Sequence, residues 1–447
     1  MTRTVTLVAV SGPDDATRRP FGEVIRDLAR ENRRLLIAIG VAELLAVLLV
    51  STISPHDHID GEVYRLGARA WLQGKDMYGP LPATQSGLKL PFIYPPFAAI
   101  LFAPLGLVSK LVAVSIIMLV SHVALLVTLY LVLGASTFLR GQRDRVVLWT
   151  GVVLPLATLS EPVMETLTYA QINLVLMALV AVDCLWRTGP GQKTPYPRGL
   201  LIGIAAGIKL TPAAFLLFFL LRKDFKPIAM AALGFAGTVL IGLVLAFDGT
   251  RKYWTQEVMA TGNVSFGPTF TGNASVYAGN QSLRSALTKL GVGNVPMVLV
   301  LVTLVVLALA IAGMVHALRQ QDLPMAVTLN GLLSLLISPI SWSHHWVWAI
   351  PAVVLLAGAA VRRADWGLLM ISGLAASLCT LGPMWKVPQG KGRELHWNPL
   401  EHLVGNAYVY LGLALLAYYA YGLWRTHRLG KRTIEPDDEP RVSSTPA

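Results

Sequence analysis

The sequence predicts an all-α polytopic membrane protein, and three observations lead there. Of its 447 residues, 54% are hydrophobic and only 14% charged, against roughly 25% charged in a soluble domain. Mean hydropathy is +0.58. Apolar runs approaching the roughly 20 residues that cross a bilayer as a helix recur along the whole chain. They leave no stretch for a soluble domain of useful size.

Apolar segments fall near 35–53, 97–108, 111–134, 146–159, 171–186, 199–221, 228–247, 296–315, 325–341, 346–361, 367–382 and 404–424. They predict about 10–12 transmembrane helices. The first, starting at Leu35, has full span length and no small-residue cleavage site behind it. It reads as a retained helix and not as a secretory signal. The chain then divides into a cytoplasmic N-terminal arm (1–34), a transmembrane domain (35–424, with a first outer loop at 54–96) and a disordered cytoplasmic tail (425–447). Cys184 and Cys379 both lie inside apolar runs. They read as buried small hydrophobes, not as a disulfide or metal ligands.

The net charge of +12 does not call for a nucleic-acid partner, because Lys and Arg collect on cytoplasmic loops and set orientation. The arm holds seven arginines, and the tail holds Arg425, Arg428, Lys431, Arg432 and Arg441. Both ends therefore belong inside. Arg140/Arg143/Arg145, Arg222/Lys223/Lys226, Arg362/Arg363 and the segment 187–198 ask for the same side. That assignment lets 97–134 cross once in net terms. It lets 199–221 not cross at all, as a re-entrant pair of short helices broken near Lys209-Leu210-Thr211-Pro212. Non-helical backbone at such depth is tolerated only inside protein or beside water. The rival is a strict alternation of twelve full spans, which moves 138–145 and 187–198 outside against their charge. Both schemes put 54–96, 248–292, 338–345 and 383–402 on the outer face.

Two polar clusters then share one side of the membrane: His56-Asp57-His58-Ile59-Asp60-Gly61-Glu62 and Ser341-Trp342-Ser343-His344-His345. Carboxylates and imidazoles beside lipid are usually kept for a function. In the first outer loop, an amphipathic helix is expected over 62–73. Val63, Leu66, Ala70 and Trp71 fall on one side of it and Glu62, Arg65 and Arg69 on the other. Such a helix would lie along the interface. Asp60 reads as a general base, partly desolvated at a membrane-edge cavity, or as the N-cap of that helix; the two roles can coexist. Asp57 is the rival carboxylate.

His344 and His345 would point about 100° apart on a helix, which suits hydrogen bonding to an anion such as a phosphate better than chelating one metal. The other reading puts one in solvent and one in the core. Trp342, Trp346 and Trp348 form an aromatic belt or stack on a sugar face. The amides of 248–292, including Asn280 and Gln281, suit sugar hydroxyls or mark solvated turns. Lys386, Lys391 and Arg393 would hold a lipid phosphate or belong to a solvated loop. No Walker loop, G-x-G-x-x-G, zinc-ligand spacing or G-x-S-x-G occurs. Nothing marks a nucleotide-sugar domain, so an activated substrate would reach the outer face attached to a lipid.

Asp60 through Tyr64, Gly74-Lys75-Asp76-Met77-Tyr78 and Tyr94-Pro95-Pro96 together resemble the first outer loop of actinobacterial GT-C glycosyltransferases. Tyr169-Ala170-Gln171-Ile172-Asn173, residues 203–209 running into Leu210-Thr211-Pro212, and Ser338-Pro339 through Trp346 fit the same family. The ordered set is similar to the polyprenol-phosphate-mannose-dependent α-(1→2)-mannosyltransferases (glycosyltransferase family 87), over about 35–424. The resemblance implies a GT-C helical bundle in the plasma membrane with its active site facing outward. It implies a polyprenyl-phosphate-mannose donor, a phosphatidylinositol mannoside or lipomannan acceptor, and transfer by inversion. Asp60 would be the catalytic carboxylate and His344 would lie near the donor phosphate. Glu62, Tyr64, Tyr94, Asn173, Lys209, His345, Lys386 and Arg393 are the further substrate-binding candidates. No cofactor is expected; a divalent metal on Asp60 and Glu62 stays open. Related branches use arabinosyl donors. A transporter or flippase of a lipid-linked sugar is the reading from another class, although no internal repeat is visible and the polar groups collect on one face.

Overall fold

The structure is a computed structural model and describes residues 21–53, 57–186, 194–260 and 274–432. Among these residues it is helical throughout, with no strand and one isolated antiparallel bridge between Asn280 and Trp342. Six helices are long and apolar enough to cross a membrane: Arg33–Thr52, Lys110–Ala135, Phe225–Leu245, Val295–Arg319, Ser343–Arg363 and Ala407–Arg428. Arg143–Thr158 and Glu161–Thr168 are long and apolar enough only when taken together, and they are bent by 68° between them, as in a broken span or a re-entrant loop. Shorter apolar helices fill in at Asn173–Leu185, Thr211–Leu221, Leu323–Ile337 and Trp366–Leu381. The twelve apolar segments are therefore not twelve straight spans, and strict alternation of full spans fails.

The segment 97–108 breaks into Pro96–Leu101 and Ala103–Leu107. Pro96 and Pro104 each sit in a first helical turn, where a missing N–H does no harm, and the two turns never join into a crossing. The following helix Lys110–Ala135 starts with Lys110 Nζ 3.0 Å from Glu62 and ends near the loop where Arg362 donates to Thr137 O at 2.6 Å. One net crossing over 97–135 results.

Segment 199–221 is a hairpin. Leu200–Ile208 is followed by extended Lys209 (φ −152°, ψ 130°), a 3₁₀ turn Thr211–Phe215 and the helix Leu216–Leu221. Its two ends return to one place: Arg198 lies over the Phe219 ring and Arg222 over the Phe218 ring. Its tip, Lys209, reaches the opposite end. Packing in lipid rests on close backbone approach more than on hydrophobic driving force. Gly203 and Gly207, one turn apart, supply that approach: a side chain at Gly203 would strike the Ala231 carbonyl, and one at Gly207 would strike Thr238 of Phe225–Leu245.

Basic groups converge at one end of the bundle. Arg140 donates to Gln321 O at 2.9 Å, and Arg140, Arg362, Arg363 and Arg425 surround a single cavity there. The first-loop helix, Leu90–Pro95, the 277–283 and 338–345 loops and Trp385 gather at the other end. The terminal helix runs on through Arg432, eight residues past its expected end. The rest of the expected tail lies outside the described residues, as does most of the N-terminal arm, of which Phe21–Glu31 forms a helix.

Candidate active site

The first-loop helix spans Ile59–Leu72 and begins three residues earlier than its hydrophobic pattern indicates. His58, in the left-handed region (φ 54°), is its N-cap and makes no side-chain cap bond. The capping role for Asp60 is therefore overturned: Asp60 sits inside the first turn and its side chain faces a cavity. The helix is also covered by protein on most of its surface. Glu62, Val63, Tyr64, Arg65, Gly67, Ala68 and Ala70 are all buried. Arg65 and Arg69, expected on a wet face, instead donate to the last carbonyls of the 96–108 turns: Leu105 and Val108 from Arg65, Gly106 from Arg69. Those carbonyls have no partner within their own short helices, and the guanidinium groups satisfy them.

Gly61 lets this helix approach the strained corner at Ala170 (φ 53°), since a Cβ on Gly61 would lie 2.7 Å from that of Ala170. Gly61 N donates to Tyr169 O at 3.1 Å. The approach brings Gln171 onto Asp60: its Nε2 donates to Asp60 Oδ2 at 2.9 Å and to Tyr94 Oη at 3.2 Å. Tyr64 Oη donates to Gln171 Oε1 at 2.6 Å. Burial raises the proton affinity of both phenols, Tyr64 and Tyr94, far above the ordinary range. They stay protonated, so neither serves as a base beside Asp60. Gln171 was absent from the sequence-derived site set. The motif around it was visible, but its choice of partners depends on contacts more than a hundred residues apart.

Opposite stands a cationic group. Lys209 Nζ lies 3.1 Å from Asn173 Oδ1, to which it donates, and 3.2 Å from His345 Nε2. Asp60 and Lys209 are close enough to interact electrostatically. His344 and His345 lie on a 3₁₀ turn, Ser343–Trp348, with rings 4.8 Å apart and nearly perpendicular. The backbone carbonyl of His344 accepts from Thr166 Oγ1 at 2.7 Å and Asn173 Nδ2 at 3.0 Å. The His344 ring packs on Tyr169 at 4.8 Å.

Asp60, Tyr94, Gln171, Lys209, His344 and His345 line one cavity of about 350 Å³. Asn173 stands behind Lys209 and His345 in a small adjoining pocket of about 40 Å³. Tyr64 is buried behind Gln171. Three further candidates lie away from the cavity. Glu62 pairs with Lys110 at 3.0 Å and accepts from Gln85 N, so it holds the loop. Lys386 is exposed beside Trp385. Arg393, also exposed, donates to the carbonyls of Gln389 and Gly390. Asp57 precedes the helix with φ 48° and is not among the cavity residues. Among the described residues no three His, Cys, Asp or Glu side chains converge as a metal site.

Of the three tryptophans, Trp342 lines the cavity while Trp346 and Trp348 are buried in the core. Tyr277 and Trp385 join Trp342 in an aromatic wall, with ring centroids 5.8 and 6.2 Å from Tyr277. Trp385 is fixed by the buried Glu161, which no pattern in the chain singles out: Trp385 Nε1 donates to Glu161 Oε1 at 2.7 Å and Tyr408 Oη to Oε2 at 2.6 Å. The 279–282 amides are neither wet turns nor sugar ligands. Asn280 is fully buried; its Oδ1 accepts from Ser282 N and Ser341 N, and its Nδ2 donates to Ala274 O. Gln281 is also buried and donates to Ala278 O and Gly405 O. These amides pin the histidine loop from below. The other Gly/Asn turns of 248–292, at 261–263 and 271–273, lie outside the described residues.

Residues 92–339 match the family model for Glycosyltransferase family 87. A polyprenol-phosphate-mannose-dependent α-(1-2)-phosphatidylinositol mannoside mannosyltransferase of Mycolicibacterium smegmatis is 36% identical, covering 86% of this chain and 88% of that protein. A polyprenol-phosphate-mannose-dependent α-(1-2)-phosphatidylinositol pentamannoside mannosyltransferase from the same organism is 31% identical, covering 87% and 92%. Among solved structures, ArnT from Cupriavidus metallidurans bound to undecaprenyl phosphate aligns with 92% of this chain and 82% of that one, at 13% identity and a TM-score of 0.43. The family match takes in more than half the chain, Lys209 within it and Asp60 and the histidine pair beyond its ends, and the relatives match along most of the chain's length: this membrane protein belongs to glycosyltransferase family 87.

Proposed function

We propose that the protein transfers mannose from polyprenyl-phosphate-mannose to a phosphatidylinositol mannoside-type acceptor, forming an α-(1→2) linkage on the outer face of the plasma membrane. The observation that supports it most is the pairing within one cavity of a carboxylate, Asp60, with an ammonium, Lys209, whose Nζ rests against His345 Nε2. The names of the relatives supply the donor and the linkage.

The acceptor 2-hydroxyl attacks the anomeric carbon while Asp60 accepts its proton. The bond from the anomeric carbon to the donor phosphate breaks on the opposite side. One displacement inverts the configuration, so a β-linked donor yields an α-linked product. The leaving phosphate gains one negative charge as it departs and needs no proton. Lys209, with His345 against it and Asn173 holding it in place, receives that charge in a site already organised for it. Gln171 orients the Asp60 carboxylate. The aromatic wall of Tyr277, Trp342 and Trp385 offers faces on which an acceptor sugar can stack.

The direct test is incubation of the purified protein with radiolabelled polyprenyl-phosphate-mannose and phosphatidylinositol mannosides. The product should release its label to an α-(1→2)-specific mannosidase. Transfer from the arabinosyl donor in place of the mannosyl donor, or movement of the lipid-linked sugar across vesicles without any acceptor product, would refute the assignment.

A further inference from the structure

At the end of the bundle away from the catalytic cavity, a second cavity of about 740 Å³ opens between helices. Four arginines from three separate elements meet there: Arg140 from the loop after Lys110–Ala135, Arg362 and Arg363 from the end of Ala349–Arg363, and Arg425 from Ala407–Arg432. Against them stands one lining carboxylate, Asp322, which already accepts from Met325 N at the start of Leu323–Ile337. Arg140 and Arg362 are held in position by backbone carbonyls, Gln321 O at 2.9 Å and Thr137 O at 2.6 Å. Those bonds fix the guanidinium groups without neutralising them. No ion pair within 4.0 Å is recorded for any of the four among the described residues.

Exposed Tyr418 and Tyr421 sit on the cavity wall, the placement aromatic side chains take at a membrane–water boundary. A basic cavity between the ends of membrane helices is the form that holds a lipid headgroup. Guanidinium groups suit it further, because they bind phosphate oxygens in pairs.

We infer that this cavity binds the phosphate of an anionic phospholipid headgroup, separately from any substrate lipid. Full-length protein is reconstituted in nanodiscs with phosphatidylglycerol or with phosphatidylcholine, and retained lipid is read by native mass spectrometry. Phosphatidylglycerol should be retained in preference. Each arginine near a membrane surface contributes about 1 kcal/mol towards anionic lipid, or about fivefold. Arg363→Gln with Arg425→Gln should therefore weaken retention roughly 25-fold. Thr426→Glu removes no arginine and places a carboxylate on the rim, and it should weaken retention as well. Displacement of the lipid by inorganic phosphate would support the anion site and assign it to the phosphate group itself. Equal retention of the two lipids by wild type, or unchanged retention in both variants, would overturn the inference.

Discussion

Gln171 donates from Nε2 to Asp60 Oδ2 at 2.9 Å while its Oε1 accepts from Tyr64 Oη at 2.6 Å. The amide therefore cannot flip, since its oxygen would then face the Asp60 carboxylate and its NH2 would face the Ile172 N–H that now donates to Oε1. One oxygen of Asp60 is fixed, and the carboxylate is oriented towards the cavity. Asp60→Asn keeps the shape and loses the basic oxygen. Transfer should fall about 10²–10⁴-fold with donor binding nearly unchanged. Near-normal turnover in this variant would move the base to another carboxylate.

Gln171→Leu tests orientation separately. It leaves the buried hydroxyls of Tyr64 and Tyr94 short of a partner, at a cost of about 1–3 kcal/mol. A positioning role predicts a lower kcat with little change in donor KM. A purely structural role would lower thermal stability and leave kcat per folded molecule intact.

Lys209→Met removes the charge that faces the departing phosphate. A hydrogen bond to a charged group is worth about 1.5–3 kcal/mol, so kcat/KM should drop roughly 10- to 100-fold. Steady-state kinetics with labelled donor measure it. By contrast Glu62→Gln, outside the cavity, should leave kcat close to wild type and lower the melting temperature by loosening Lys110 and the Gln85 turn. Loss of catalysis in Glu62→Gln without loss of stability would restore Glu62 to the site.

Lys289 links pH to stability. Burial pushes its ammonium down to about 7 from the ordinary 10.5, with Glu394 pulling partly back. Between those two values the unfolded chain holds a proton that the folded chain does not. Stability should therefore rise as pH increases through that window. Lys289→Met should flatten the rise, as read by thermal unfolding in detergent from pH 7 upward. An identical slope in the variant would contradict the assignment to Lys289.

Much of the large-scale arrangement was legible in charge and hydropathy. The basic residues on either side of 199–221 required the segment to return to the side it came from, and the Pro212 region gave the place to turn. The structure has that hairpin, with Arg198 and Arg222 together and Lys209 at the tip. The shared end of Asp60 and the histidines followed from the same reasoning. What escaped was local geometry set by distant partners. The start of the first-loop helix at Ile59 rests on the contact of Gly61 with the Ala170 corner, which no pattern within 54–73 encodes. Arg65 and Arg69 look solvated by periodicity, and only the broken 96–108 turns, with carbonyls left over, explain why both donate there and why Arg65 is buried while Arg69 stays exposed. Asn280 and Gln281 carry the composition of a wet turn; their burial depends on the 341–343 backbone lying against them.

The most direct test is a structure of the Asp60→Asn protein with intact polyprenyl-phosphate-mannose bound. The phosphate should rest against Lys209 and His345, with the anomeric carbon presented across open space to residue 60. A donor whose phosphate sits instead on exposed Lys386 and Arg393, or whose sugar is walled off from residue 60, would contradict sugar transfer by this cavity.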